Sequence, residues 1–86
     1  MSEEFNFATQ VLGALAKMAK PRRRKEVFLS DALHAAGLPL DPERVEAALL
    51  LLRHQGCIDK PVPLANGDLL LRVTGRTLQP PESLQP

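Results

Sequence analysis

Residues 45–58 read VEAALLLLRHQGCI. Residues 45–52 are mostly apolar, and residues 53–58 are more polar and contain Gly56. The apolar residues return every three or four positions, which is the spacing of one helix face. Gly56 then predicts the end of the helix, because glycine readily takes the left-handed conformation that closes many helices. The predicted inward face of this helix comprises Val45, Ala48, Leu49 and Leu52.

The start of the same helix is marked just upstream. Asp41 is a favoured N-cap residue, and Pro42 suits the first helical position. Glu43 follows where a negative charge is stabilised by the helix dipole. We therefore predict a helix over residues 41–55.

Two shorter segments precede this helix. Residues 27–29 (Val-Phe-Leu) form a short β-prone run. Ser30 then predicts an N-cap and Gly37 a C-terminal stop, which together indicate a helix over residues 31–36. Residues 38–40 are assigned to the connector.

The N-terminal segment predicts a helix over residues 4–19 that ends before Pro21. Two apolar stripes run along it, and a helix with so wide an apolar surface usually has two partners. We assign the first stripe to the core and the second to contact with a second copy. The first stripe is Phe5, Ala8, Leu12, Leu15, Ala16 and Ala19; the second is Phe7, Val11, Ala14 and Met18.

A β-hairpin is predicted after the third helix, with strands over residues 58–64 and 69–73. Asn66-Gly67 between them favours a two-residue type I′ turn. Pro61 and Pro63 both lack an N–H group on the same side of the first strand, so this strand is expected at a sheet edge. The fold class is therefore α+β, with three helices and a three-stranded antiparallel sheet. Residues 1–76 form the predicted domain, and the proline-rich residues 77–86 form a predicted flexible tail.

Composition excludes several functional classes. The chain has 86 residues, a net charge of +1, one cysteine and three aromatic residues, all phenylalanine. One small core leaves little room for an elaborate active site, and exposed base-stacking aromatics are lacking. The lone Cys57 indicates a reducing compartment, and the acidic N-terminus argues against a signal peptide. We predict a cytoplasmic protein that has no contact with a membrane.

Chemistry-bearing residues are sparse. His54 and Cys57 stand three apart, but no second pair completes a tetrahedral metal site. Ser30 and His34 lack an acid that would orient them as a nucleophile and a base. We therefore expect no catalysis, no metal and no cofactor.

The order helix, strand, helix, helix, hairpin resembles the winged helix-turn-helix superfamily, in particular MarR-like regulators. The resemblance covers about residues 4–76 and lies in the Leu49-x-x-Leu52 spacing, in Gly56-x-Ile58 before the hairpin, and in residues 74–76 (Thr-Gly-Arg). It implies that the strand after the first helix pairs with the last strand. It also implies DNA binding, with the helix over residues 41–55 in the major groove.

Basic residues are clustered rather than numerous. Six of the 11 lie within residues 17–25, which contain no acid. Such a run binds phosphates regardless of base sequence, although basic runs are also common on plain surfaces. The outward face of the third helix offers mainly Glu, Ala and Leu rather than the side chains that read bases. The candidate DNA-binding residues are Lys20, Arg22, Arg23, Arg24 and Lys25, with Arg44, Arg53, Lys60 and Arg72 as secondary contacts.

Leu50 and Leu51 lie outside the predicted inward face, so they would leave an apolar patch. The tail, a second subunit or another protein would cover it; alternatively, both leucines belong to the core. We predict a homodimer that binds double-stranded DNA as a regulator or accessory factor. The alternative is a module that docks a protein partner without binding DNA. The candidate interface residues are Phe7, Val11, Met18, Leu50 and Leu51.

Overall fold

The predicted fold class is confirmed by a computed structural model, which describes residues 3–19 and 26–79. Three helices and a three-stranded antiparallel sheet follow the expected chain order. The elements are α1 (Glu3–Ala19), β1 (Glu26–Phe28), α2 (Leu29–Ala36), α3 (Pro42–His54), β2 (Val62–Pro63) and β3 (Leu69–Arg72).

Helix α1 is the centre of the helical layer, because both α2 and α3 pack on it. All residues of α2 and α3 are described, and no Cα atom of one lies within 8 Å of a Cα atom of the other. The expected features of α3 are confirmed. The Asp41 carboxylate accepts the Glu43 N–H at 3.2 Å, Pro42 begins the helix, and the buried residues are those predicted.

The buried face of α1 differs from the predicted one. Phe7 is 3% exposed and Val11 is 0% exposed within the single chain, so the prediction that they face a second copy is wrong. Ala16, predicted to point inward, is exposed, and Met18 is half-buried. The cause is that the two stripes are halves of one wide face centred near Val11. That face comprises Phe7, Ala8, Val11, Ala14, Leu15 and Ala19.

The sheet has the strand order β1-β3-β2, which confirms β2 as an edge strand. Strand β2 is shorter than predicted, since it spans only two residues and Ile58 pairs with Val73 as an isolated bridge. Val27 and Leu71 are register partners on the inner face and both are buried.

The hairpin loop has three residues, 65–67, rather than the predicted two. Gly67 has φ +88° and donates its N–H to the Leu64 carbonyl at 3.0 Å, while the Leu64 N–H donates to the Asp68 carbonyl at 2.9 Å. The Asp68 N–H donates to the Asn66 side chain at 3.0 Å, so it is used within the loop instead of in a two-residue turn.

The described fold extends past residue 76, where the predicted domain ended. Leu78 packs against the core, and Gln79 exchanges two hydrogen bonds with the Gln55 side chain at 2.8 and 2.9 Å. Residues 77–79 are therefore attached to the end of α3 rather than forming part of a flexible tail. The rest of the predicted tail, residues 80–86, lies outside the described residues.

Candidate interaction surface

An open apolar groove of about 480 Å³ lies along one side of α3. We call it the α3 groove. The hairpin, the connector before α3 and the first residue of α2 form the rest of its walls. Its lining is almost entirely apolar, with one acid and one base. The lining residues are Leu29, Leu40, Pro42, Val45, Glu46, Leu49, Leu50, Arg53, Pro61, Gly67 and Leu69.

Two leucines of the α3 groove are largely exposed to solvent. Leu50 is 60% exposed and Leu40 is 67% exposed, whereas Leu49, the neighbour of Leu50 on α3, is buried. Exposed leucines beside a concave apolar surface are typical of binding sites rather than of plain surface. The prediction that Leu50 lies outside the core is confirmed.

Leu51 has a different environment from Leu50. It is half-buried, packs against the core and does not line the α3 groove. The predicted two-leucine patch is therefore one exposed leucine on α3 together with Leu40 of the connector. Sequence reasoning missed Leu40 because residues 38–40 were read only as a connector, although an apolar side chain beside Pro39 was the available signal.

The two charged residues of the α3 groove are Glu46 and Arg53. Both side chains are exposed, and neither forms an ion pair within the described part of the chain. They are seven residues apart, or about two helical turns, so they lie on the same side of α3. Leu49 and Leu50 stand midway between them.

The hairpin wall of the groove is fastened to α2 by Asp68. The Ser30 N–H donates to Asp68 Oδ1 at 3.1 Å, and the Ser30 hydroxyl donates to Oδ2 at 2.6 Å. The prediction that Ser30 itself caps α2 is wrong, since the helix begins at Leu29 and has no side-chain cap of its own. The Asp68 carboxylate, 38 residues away, accepts the Ser30 N–H in the first turn of α2 instead. Its negative charge is also favourable at the positive end of the helix dipole.

Hydrogen bonding controls the ionisation of Asp68. Burial alone raises the pKa of this carboxyl, but the Ser30 hydroxyl and the N–H groups of Leu69 and Ser30 stabilise the charged form and leave the pKa below its ordinary value. A lowered folded-state pKa means that the charged carboxylate stabilises the fold above the unfolded pKa of about 4. That stabilisation is lost as the pH falls through the folded-state pKa.

We expect Asp68→Ala to lower the free energy of unfolding by about 1–2 kcal/mol near pH 7, because the Ser30 and Leu69 donors lose a charged acceptor. The difference from the wild type should narrow at acidic pH, as the pH falls through the lowered folded-state pKa of Asp68. Urea unfolding at pH 7 and at a lower pH measures the difference in the free energy of unfolding between the variant and the wild type. Asp31→Ala is the control, since Asp31 is also in the first turn of α2. An equal loss at both pH values would contradict this role of Asp68.

The predicted DNA-binding residues differ in where they lie and in what they contact. Lys20, Arg22, Arg23, Arg24 and Lys25 all lie outside the described residues. Arg44 is engaged within the chain, because its guanidinium lies 3.3 Å from the Glu3 carboxylate and 4.4 Å from the centre of the Phe7 ring. Arg53 lines the α3 groove.

Lys60 and Arg72 are exposed near the hairpin, but acidic residues stand beside both. Asp59 precedes Lys60 in the chain and donates its N–H to the Arg72 carbonyl at 3.0 Å. Glu26 is the register partner of Arg72 on β1. These two bases therefore share their surroundings with two acids.

Reactive groups are dispersed in the described part of the chain. Cys57 is buried, and burial raises the pKa of its thiol more than the nearby charge of Arg76 lowers it. His54 is exposed while Cys57 is not, so the two do not share a surface. Within residues 3–19 and 26–79, no three His, Cys, Asp or Glu side chains are grouped to hold a metal ion. No helix in these ranges has the length and apolar character needed to span a bilayer.

Comparison with known proteins adds no relative: no protein-family model, curated protein or solved structure matches this chain.

Proposed function

We propose that this chain is a small winged-helix interaction module that docks a protein through the α3 groove. The observation that carries the proposal is the exposure of Leu40 and Leu50 at the rim of an apolar groove. Burying the exposed part of these two side chains against a partner would contribute about 1–2 kcal/mol each. A small domain gains little from leaving them in water, so their exposure favours a binding role.

The winged-helix part of the proposal draws on chain order and strand order. A helix, a strand, two helices and a hairpin follow one another, and β1 pairs with β3. Both features agree with the superfamily that residues 45–58 and 74–76 resemble. Fold does not fix function, so only the groove supports the docking role.

DNA binding, the other function that the sequence predicts, draws less support from the described residues. Arg44 is the base nearest the start of α3, and it is engaged by Glu3 and Phe7. Arg53 and His54 are exposed at the end of α3, but Glu43, Glu46 and Leu50, which are exposed before them, suit neither phosphates nor base edges. Phosphate contact by the basic run of residues 20–25 stays a prediction.

The docking role is tested by selecting peptides from a displayed random library on immobilised protein. We expect enriched peptides to carry apolar residues and to lose affinity by about tenfold or more on Leu50→Glu, because a charge enters the groove. Val62→Glu is the matched control, since Val62 is 52% exposed on β2 but does not line the groove. Enrichment of no peptide, or of peptides that bind Leu50→Glu as tightly as the wild type, would contradict the docking role.

A further inference from the structure

The side of α3 that lines the groove carries a regular pattern of residues. Pro42, Glu46, Leu49 and Arg53 line the groove at spacings of four, three and four residues. This spacing follows one seam along a helix, and it is the spacing that two packed helices share. Leu50 stands at the edge of this seam and projects into solvent.

The charges of this seam are ordered symmetrically about its leucines. Glu46 and Arg53 lie at equal sequence distances from the midpoint between Leu49 and Leu50. If a second α3 packs against the first in the antiparallel direction about that midpoint, each Glu46 meets the Arg53 of the other copy. The same arrangement brings each Leu50 to the Leu49 of the other copy.

From this symmetry we infer that the occupant of the α3 groove is a second copy of the chain, related by a two-fold axis that passes between the two α3 helices. The inference rests on the proposed docking role and names its partner. A two-fold interface uses the same patch on both copies, which requires self-complementary shape and charge. An exposed apolar side chain beside an apolar groove, flanked by one acid and one base, meets that requirement.

The apolar contacts and the charges have different roles in this dimer. Exposed ion pairs contribute little free energy, so Leu40, Leu50 and the groove supply most of the affinity. The two Glu46–Arg53 pairs select the antiparallel arrangement, because a parallel one would place like charges together. Neither residue has an ion-pair partner within the described part of one chain, so no internal pair is broken on association.

Charge exchange provides the test. We expect Glu46→Arg alone and Arg53→Glu alone each to weaken self-association by about tenfold or more, because each homodimer then places like charges in contact twice. Mixing the two single variants should give a heterodimer, since the seam of one chain then carries two bases and the seam of the other carries two acids. The double variant within one chain should also regain self-association.

Sedimentation equilibrium of the whole 86-residue chain measures these states, with circular dichroism as the check that each variant is folded. Glu4→Arg is the control, because it makes the same charge change at an exposed site on α1. A wild type that stays monomeric up to about 1 mM, a range that includes weak dimers, would overturn the inference. Single variants that associate like the wild type, or that do not pair on mixing, would overturn it too. If selected peptides still bind such a monomer in a Leu50-dependent way, the docking role stands and only its partner is wrong.

Discussion

Replacing Leu52 with alanine is expected to lower the free energy of unfolding by about 3 kcal/mol. Leu52 is fully buried between α3 and the rest of the core. Its truncation therefore removes buried apolar area and leaves a cavity that the surrounding side chains fill only in part. Chemical unfolding followed by circular dichroism measures the loss.

Leu50→Ala is the internal comparison, because it changes the same residue type two positions away. Leu50 is exposed, so its truncation should change the stability of the monomer by less than about 0.5 kcal/mol. Unfolding is measured at a protein concentration low enough to keep the chain monomeric, since association would add stability. Equal losses for both variants would place Leu50 in the core and remove the α3 groove as a docking surface.

Val11→Asp is expected to abolish folding at room temperature. Val11 has no solvent exposure and lies at the centre of the buried face of α1. A buried carboxylate without a partner costs more free energy than a domain of this size has in reserve. Far-ultraviolet circular dichroism and the dispersion of amide proton resonances report the loss directly.

Ala16→Asp is the matched control on the same helix. Ala16 is exposed, so this change should cost only the difference in helix propensity, about 1 kcal/mol or less. If Ala16→Asp unfolds the chain and Val11→Asp does not, then Ala16 rather than Val11 faces the core, as the sequence alone predicts.

Local signals made α3 the most predictable element. Asp41 and Pro42 act within their own helix turn, and the inward residues recur at the helical period. The two prolines of the hairpin likewise act on their own strand, which explains why the edge position of β2 followed from sequence. Each of these features depends on residues that are neighbours in the chain.

The features that sequence did not predict depend on distant residues. Asp68 reaches Ser30 across 38 positions, so no local pattern distinguishes a self-capping serine from one held by the hairpin. The orientation of α1 depends on which part of a wide apolar surface meets α2 and α3. The hydrophobic pattern alone assigns Phe7 and Val11 to contact with a second copy, although both belong to the core.

The α3 groove was predicted in part for the same reason. Leu50 stands out on a helical wheel, and sequence reasoning therefore identified it as exposed. The hairpin wall with Pro61 and Leu69, and the connector with Leu40, are brought to α3 only by the tertiary fold. Arg53 was predicted to contact DNA because the charge of a side chain is visible in sequence, whereas its place beside an apolar groove is not.

The most direct measurement of docking at the α3 groove is a dilution series of ¹³C-methyl spectra of the wild-type chain. Between about 10 μM and about 1 mM, a range that covers weak association, the methyl resonances of Leu40, Leu50 and Leu69 should shift along one binding curve. Those of the buried Leu15 and Leu71 should stay in place. Random-sequence duplex DNA, added to the dilute protein, should leave the groove resonances unchanged. Groove resonances that do not respond to protein concentration but move on addition of DNA would contradict docking of a second copy and favour DNA contact by α3.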